Sequence, residues 1–170
     1  MLESSHHLQP VPDDCCIIRL GRAPKDFPED RKVLAIQLGD CFNLSTKDKE
    51  GDPPHLSVWV NALTTPEQAY AFLRTKHLQT LVLQLEVDEI RAIVAHSGNN
   101  MMHPGLLDVL WVHLASQDGE EGQDVLLGFR GHAGITGLDN QSSPEKLLRK
   151  DLRAQLAELA SKNCYLLFHE

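Results

Sequence analysis

No stretch of this chain approaches the apolar length that a bilayer-spanning helix needs, and no positively charged start followed by an apolar run marks a secretory leader. C-x-x-C is missing too. Four cysteines, with Cys15 and Cys16 adjacent, do not make a disulfide framework in 170 residues. These absences predict a cytoplasmic protein with reduced thiols. The phosphate motifs fail as well: there is no G-x-x-x-x-G-K-[ST] and no dinucleotide-binding turn. G-x-S-x-G, H-E-x-x-H, H-x-E with P-C-x-x-C and the EF-hand loop are all lacking, so serine hydrolases, zincins, zinc deaminases and calcium sensors have no support in the sequence. The absences weigh against catalysis without excluding it, and no cofactor is implied.

What is present is an ordinary globular composition, 42% apolar and 24% charged, in a length that suits one domain with a sizeable core. A formal charge of −8 and a pI near 5.5 make the chain acidic, which repels a phosphate backbone and weighs against nucleic-acid binding. Residues 1–14 carry proline, serine, histidine and aspartate without periodicity and read as a disordered leader. His6 and His7 are read as solvated residues of that leader. A single domain is expected over residues 15–170.

Residues 16–20 and 32–38 suit strands, and the charged stretch 45–54 reads as an insertion or disordered loop. In residues 55–63, Leu56, Val58 and Val60 fall on one face and Ser57, Trp59 and Asn61 on the other. Thr65 as cap, Pro66 at the first helical position and Glu67 near the positive end of the dipole make the clearest helix start. Residues 79–87 are almost wholly apolar and suit a strand covered on both faces. Residues 88–97 are assigned to a short helix, with strand as the competing assignment, and 99–105 to a loop. Residues 106–115 and 124–130 read as a long β-hairpin with an acidic tip. Ser143 is expected to cap the longest helix, which runs to about Ser161 with Leu148, Leu152, Leu156 and Leu159 at helical spacing. Residues 165–168 end the chain as a short strand or docked tail. The fold class is α+β: a single domain with a mixed or antiparallel sheet of about five to seven strands and two or three helices.

The segment Gly128-Phe-Arg-Gly131-His-Ala-Gly134-Ile-Thr-Gly137 surrounds His132 with glycines at every third position. Such a cluster marks a turn, a bulge or a binding loop. On one reading Gly128 and Gly131 kink a strand, Gly134 and Gly137 make a turn, and His132 satisfies a local backbone group. On the other, backbone N–H groups around Gly131, Ala133 and Gly134 form an anion-binding concavity beside His132, which acts as acid, base or ligand. Arg19 reads as solvent-facing by strand alternation, or as a fork for a phosphate or carboxylate. Convergence of Arg19, Ser57 and His132 would make a site for a small anionic ligand.

Lys146, Arg149, Lys150 and Arg153, at i, i+3, i+4 and i+7, line one face of the last helix. They form either a stripe for an acidic partner or a solvated face laced with ion pairs. His96 and His103, with Cys41 or His55 as third ligand, lack the spacing of a zinc site, so no metal is assigned. Glu86, Asp88 and Glu89 read as a solvated strand end.

Leu56-Ser57-Val58, the helix started by Thr65 and Pro66, His132-Ala-Gly-Ile-Thr-Gly137 and the terminal charged helix together resemble a loose set of small uncharacterised bacterial proteins. That set shares an L-S-V strand and a late H-A-x-I-x-G element. The resemblance spans roughly residues 15–160 and implies a bacterial, intracellular setting, with no activity to carry over. The functional expectation is a non-enzymatic binding or accessory module that acts through a protein partner or by self-association. The alternative is a small enzyme or ligand-binding domain for a phosphate-bearing or other anionic molecule.

Overall fold

Ile17 and Ile18 point to opposite sides of one strand and both are fully buried, so that strand lies inside a sheet covered on both faces. The computed structural model describes residues 8–23, 35–72, 79–112 and 130–168. In it, β1 (Cys16–Arg22) pairs with β2 (His55–Val60) on one side and β3 (Gln79–Glu86) on the other. A short hairpin of β4 (Val94–His96) and β5 (Met102–Pro104) stands apart. β6 (Asp108–Trp111), β7 (His132–Thr136) and β8 (Cys164–Phe168) complete a six-stranded sheet in the order β6-β7-β2-β1-β3-β8, with every pairing antiparallel. The α+β class with an antiparallel sheet is thus as the sequence predicts.

The helices are α1 (Ala35–Leu38), α2 (Thr46–Lys49), α3 (Pro66–Phe72), α4 (Val87–Arg91) and α5 (Lys146–Ser161). α5 buries Leu148, Leu152, Leu156, Ala157 and Ala160 against one face of the sheet, where Ile17, Leu56, Val58, Leu83 and Ile135 meet them. Each leucine buried in this way contributes about 1.5–3 kcal/mol. On the opposite face Ile18, Leu20, Trp59 and Val82 form a smaller cluster beneath Ala69 of α3. α3 starts where Thr65 Oγ1 accepts the Gln68 N–H at 3.2 Å and Gln68 Oε1 accepts the Thr65 N–H at 3.0 Å, a reciprocal cap. Among the described residues no helix is long and apolar enough to cross a membrane.

Several expectations are corrected. Residues 8–14 are not a loose leader: Val11 is fully buried, its N–H donates to Val109 C=O at 2.9 Å, and the Trp111 N–H donates to Gln9 C=O at 2.9 Å. Residues 35–38 form a helix that continues into a 3-10 turn, Gly39–Phe42, rather than a strand. Leu38, Cys41 and Phe42 recur at i, i+3 and i+4, and all three are buried. Within residues 45–54, α2 is closed by a capping box in which Ser45 Oγ accepts the Asp48 N–H and Asp48 Oδ2 accepts the Ser45 N–H.

Both readings of residues 88–97 hold in part, since α4 ends at Arg91 and β4 follows. Contacts distant in sequence fix β4: Gln155 Nε2 donates to Val94 C=O and the His96 N–H donates to Asp151 Oδ2, each at 2.8 Å. Residues 102–104, expected as loop, are its partner strand. β6 pairs with β7, while the predicted partner at 124–129 and the acidic tip lie outside the described residues. Ser143 does not cap α5; it is buried and donates from Oγ to Gly137 C=O at 2.7 Å, and the helix begins after Glu145.

Candidate functional site

The sheet separates the residues that the sequence grouped. In β2, Leu56, Val58 and Val60 face α5, so Ser57 and Trp59 face the other way, and Trp59 stands opposite His132 in β7. Arg19 alternates with Ile18 and therefore lies on the α5 face with Ile17. Ser57 and His132 thus share one face and Arg19 occupies the other.

Arg19 is not solvent-facing. The β1–β2 ladder ends at the pair Ile18↔Trp59, and the next inward-facing carbonyl of β2, that of Ser57, has no strand partner there. Arg19 fills the gap, donating from Nη1 to Ser57 C=O at 2.9 Å and from Nε to Cys41 C=O at 3.1 Å. Burial lowers its pKa from the ordinary arginine value, with the charge of Asp48 opposing that shift. The guanidinium joins β1, β2 and the Gly39–Phe42 turn.

His132 is only 8% exposed and stacks on Trp59, with ring centroids 5.4 Å apart and an interplanar angle of 17°. His55 meets it edge-on at 6.4 Å and holds a 2.9 Å contact from Nδ1 to Pro53 C=O. Gly134 is required by this arrangement, because a Cβ there would stand 2.6 Å from Cδ2 of His55. Gly131 has a φ of +77°, and a Cβ on it would stand 2.6 Å from Thr64 Oγ1, which bonds Arg130 C=O. The glycines therefore admit protein groups into close packing. The depression beside His55, Leu110 and Gly134 is too tight to admit a water molecule.

The histidines proposed as ligands do not converge either. His103 stands opposite Ala95 in the hairpin, so His96, the next residue after Ala95, points to the other side. Cys41 is in the α5-side core, and His55 is on the far face of the sheet. Among the described residues no group of three His, Cys, Asp or Glu side chains is placed to hold a metal ion.

The basic stripe divides. Arg149 turns back and donates from Nη1 to the carbonyls of Ser143 and Pro144, at 2.8 and 2.7 Å, while Arg153 is half-buried. Lys146 and Lys150 remain exposed, and between them Leu147 is 54% exposed. The β4–β5 turn adjoins this end of α5: the Gly98 N–H donates to Glu145 Oε1 at 2.5 Å, and Leu147 Cδ1 lies 2.9 Å from where a Cβ of Gly98 would stand. Met101 ends that turn and Met102 begins β5, 57% and 66% exposed. Three exposed large apolar side chains thus lie on the β4–β5 hairpin and on the turn of α5 that this hairpin touches through Gly98.

Sequence reasoning missed this surface. Its signal was legible: Leu147 falls off the stripe of Leu148, Leu152 and Leu156, and two adjacent methionines follow two asparagines. The chain matches no protein-family model, no curated protein and no solved structure.

Proposed function

We propose that this chain is a non-enzymatic binding module that docks a protein partner on Met101, Met102 and Leu147. The observation that carries the reading is the exposure of these three large apolar side chains on two elements that meet, the β4–β5 hairpin at Gly98 and the first turn of α5 at Leu147. Methionine is unbranched and polarisable, and it adapts to varied apolar partners. Lys146 and Lys150 beside the patch select a segment whose apolar side chains are flanked by acidic groups. A small-molecule site at Arg19, Ser57 and His132 is disfavoured because the sheet divides its members. A cytoplasmic, bacterial setting belongs to the same proposal. The four cysteines are free, and burial pushes each thiol above its ordinary pKa.

The test is a photo-crosslinking amino acid placed at Met102 and, as control, at exposed Asn61, in cells of the source organism. A discrete protein adduct at position 102 only, abolished by Leu147→Asp, is expected. No adduct, or equal labelling at both positions, overturns the proposal.

A further inference from the structure

Among the described residues β8 has a strand neighbour on one side alone, and the groups on its other side are arranged to pair with themselves. The Gln84 N–H donates to Asn163 C=O at 3.0 Å, which identifies those two residues as a hydrogen-bonded antiparallel pair. Counting by twos along the β3–β8 register, Tyr165 and Leu167 direct their backbone groups inward to Val82 and Thr80. Cys164, Leu166 and Phe168 therefore direct theirs outward, where no backbone partner meets them among the described residues. An edge of this kind is a template for another strand, and proteins commonly blunt it with charge, proline, a bulge or a covering segment. Residues 163–168, Asn-Cys-Tyr-Leu-Leu-Phe, contain neither charge nor proline.

We propose that β8 pairs antiparallel with β8 of a second copy of this chain, about a two-fold axis at Leu166, to form one continuous sheet across a homodimer. The outward groups are symmetric about that residue. Leu166 meets Leu166 of the second copy, Cys164 meets Phe168, and Phe168 meets Cys164, each pair exchanging two N–H···O bonds. The charge distribution permits a copy of itself in this place. Lys162, the nearest charged residue preceding the strand, belongs to the C-cap of α5 and not to the strand, so no like charges face each other within the ladder. Half-buried Leu166 gains cover at the same time. The contact is a backbone ladder with little side-chain area, so its dissociation constant is on the order of 10–100 μM. Both copies are acidic, so added salt tightens the dimer, opposite to the effect on a contact driven by unlike charges. This surface is independent of the methionine patch.

Sedimentation of the full chain over a concentration series reads the mass directly, against 19.0 kDa for one copy. A shift to twice that mass is expected. Leu166→Pro removes an outward N–H that β3 does not use, so it is expected to leave the fold intact and weaken association at least tenfold. A chain that stays monomeric at about 1 mM overturns the proposal, as does a folded Leu166→Pro variant that still dimerises as wild type does. Should that variant fail to fold, amide exchange of the wild type decides. Protection at Cys164 and Leu166 that rises with concentration, beside constant protection at Tyr165 and Leu167, supports the pairing; exchange independent of concentration refutes it.

Discussion

The two margins of the six-stranded sheet are finished in opposite ways. At β6 the outward Val109 N–H donates to Asp108 Oδ1, Val109 C=O accepts from Val11 and from Arg91 Nη2, and the Trp111 N–H reaches Gln9 C=O. Arg91 also pairs with Asp13 and Asp108, at 2.5 and 2.8 Å, fastening the covering segment to α4 and β6. Burial alone would lower the pKa of Arg91; the two carboxylates outweigh it and raise it. At β8 nothing comparable is found among the described residues. Among the described residues the N-terminal segment covers the β6 edge and no segment covers β8, the asymmetry on which the proposed pairing rests.

Unpinning the covered margin has the largest expected effect. Val11→Asp places a carboxylate where a fully buried side chain belongs, and the segment responds by letting go. The cost is then bounded by the segment's docking, about 3 kcal/mol from one buried valine and two backbone bonds. A urea titration reads the loss, and sedimentation is expected to show larger assemblies once both margins are open. Arg19→Met separates the interior of the sheet from its edges. It leaves the carbonyls of Ser57 and Cys41 unpaired and costs about 1.5–3 kcal/mol in the same titration, with self-association unchanged.

Arg91→Met loosens the fastening with a smaller effect. Asp13 is largely exposed, so solvent screens the pair, and about 1 kcal/mol is lost at low salt and less at high salt. The smallest effect concerns Asp139, between β7 and α5. Burial opposes its ionisation, but hydrogen bonds from Ser142 and Gln141 outweigh this and hold its pKa below the ordinary value. Its contribution is complete above the ordinary carboxylate pKa and is lost as pH falls through the lowered one. Asp139→Asn is therefore expected to flatten the fall in stability below about pH 4, as read by thermal melting across pH.

Legibility in the sequence followed the locality of the cause. The alternation of β2, the cap at Thr65 and the leucine stripe of α5 are set by neighbours within a few residues, and all three appear where the sequence places them. Val11 could not be read in this way, since its partner Val109 lies far along the chain. The hairpin of β4 and β5 depends on Asp151 and Gln155 for the same reason. At the candidate site, residue identity drew attention to Arg19 and His132, yet their roles rest on where the β1–β2 ladder ends and which face each side chain takes. The exposed methionines were visible as letters; that their hairpin meets Leu147 through Gly98 needed the fold.

The central claim is that this molecule works through its surfaces rather than through a pocket. Methyl and imidazole NMR signals of the labelled full chain, recorded with the protein fraction of a source-cell extract and separately with its small-molecule filtrate, test it most directly. Broadening of Met101, Met102 and Leu147 by the protein fraction, with His55 and His132 unmoved by the filtrate, is the predicted result. Shifts of His55 and His132 on adding the filtrate, with the methyl signals unchanged by protein, would contradict the account.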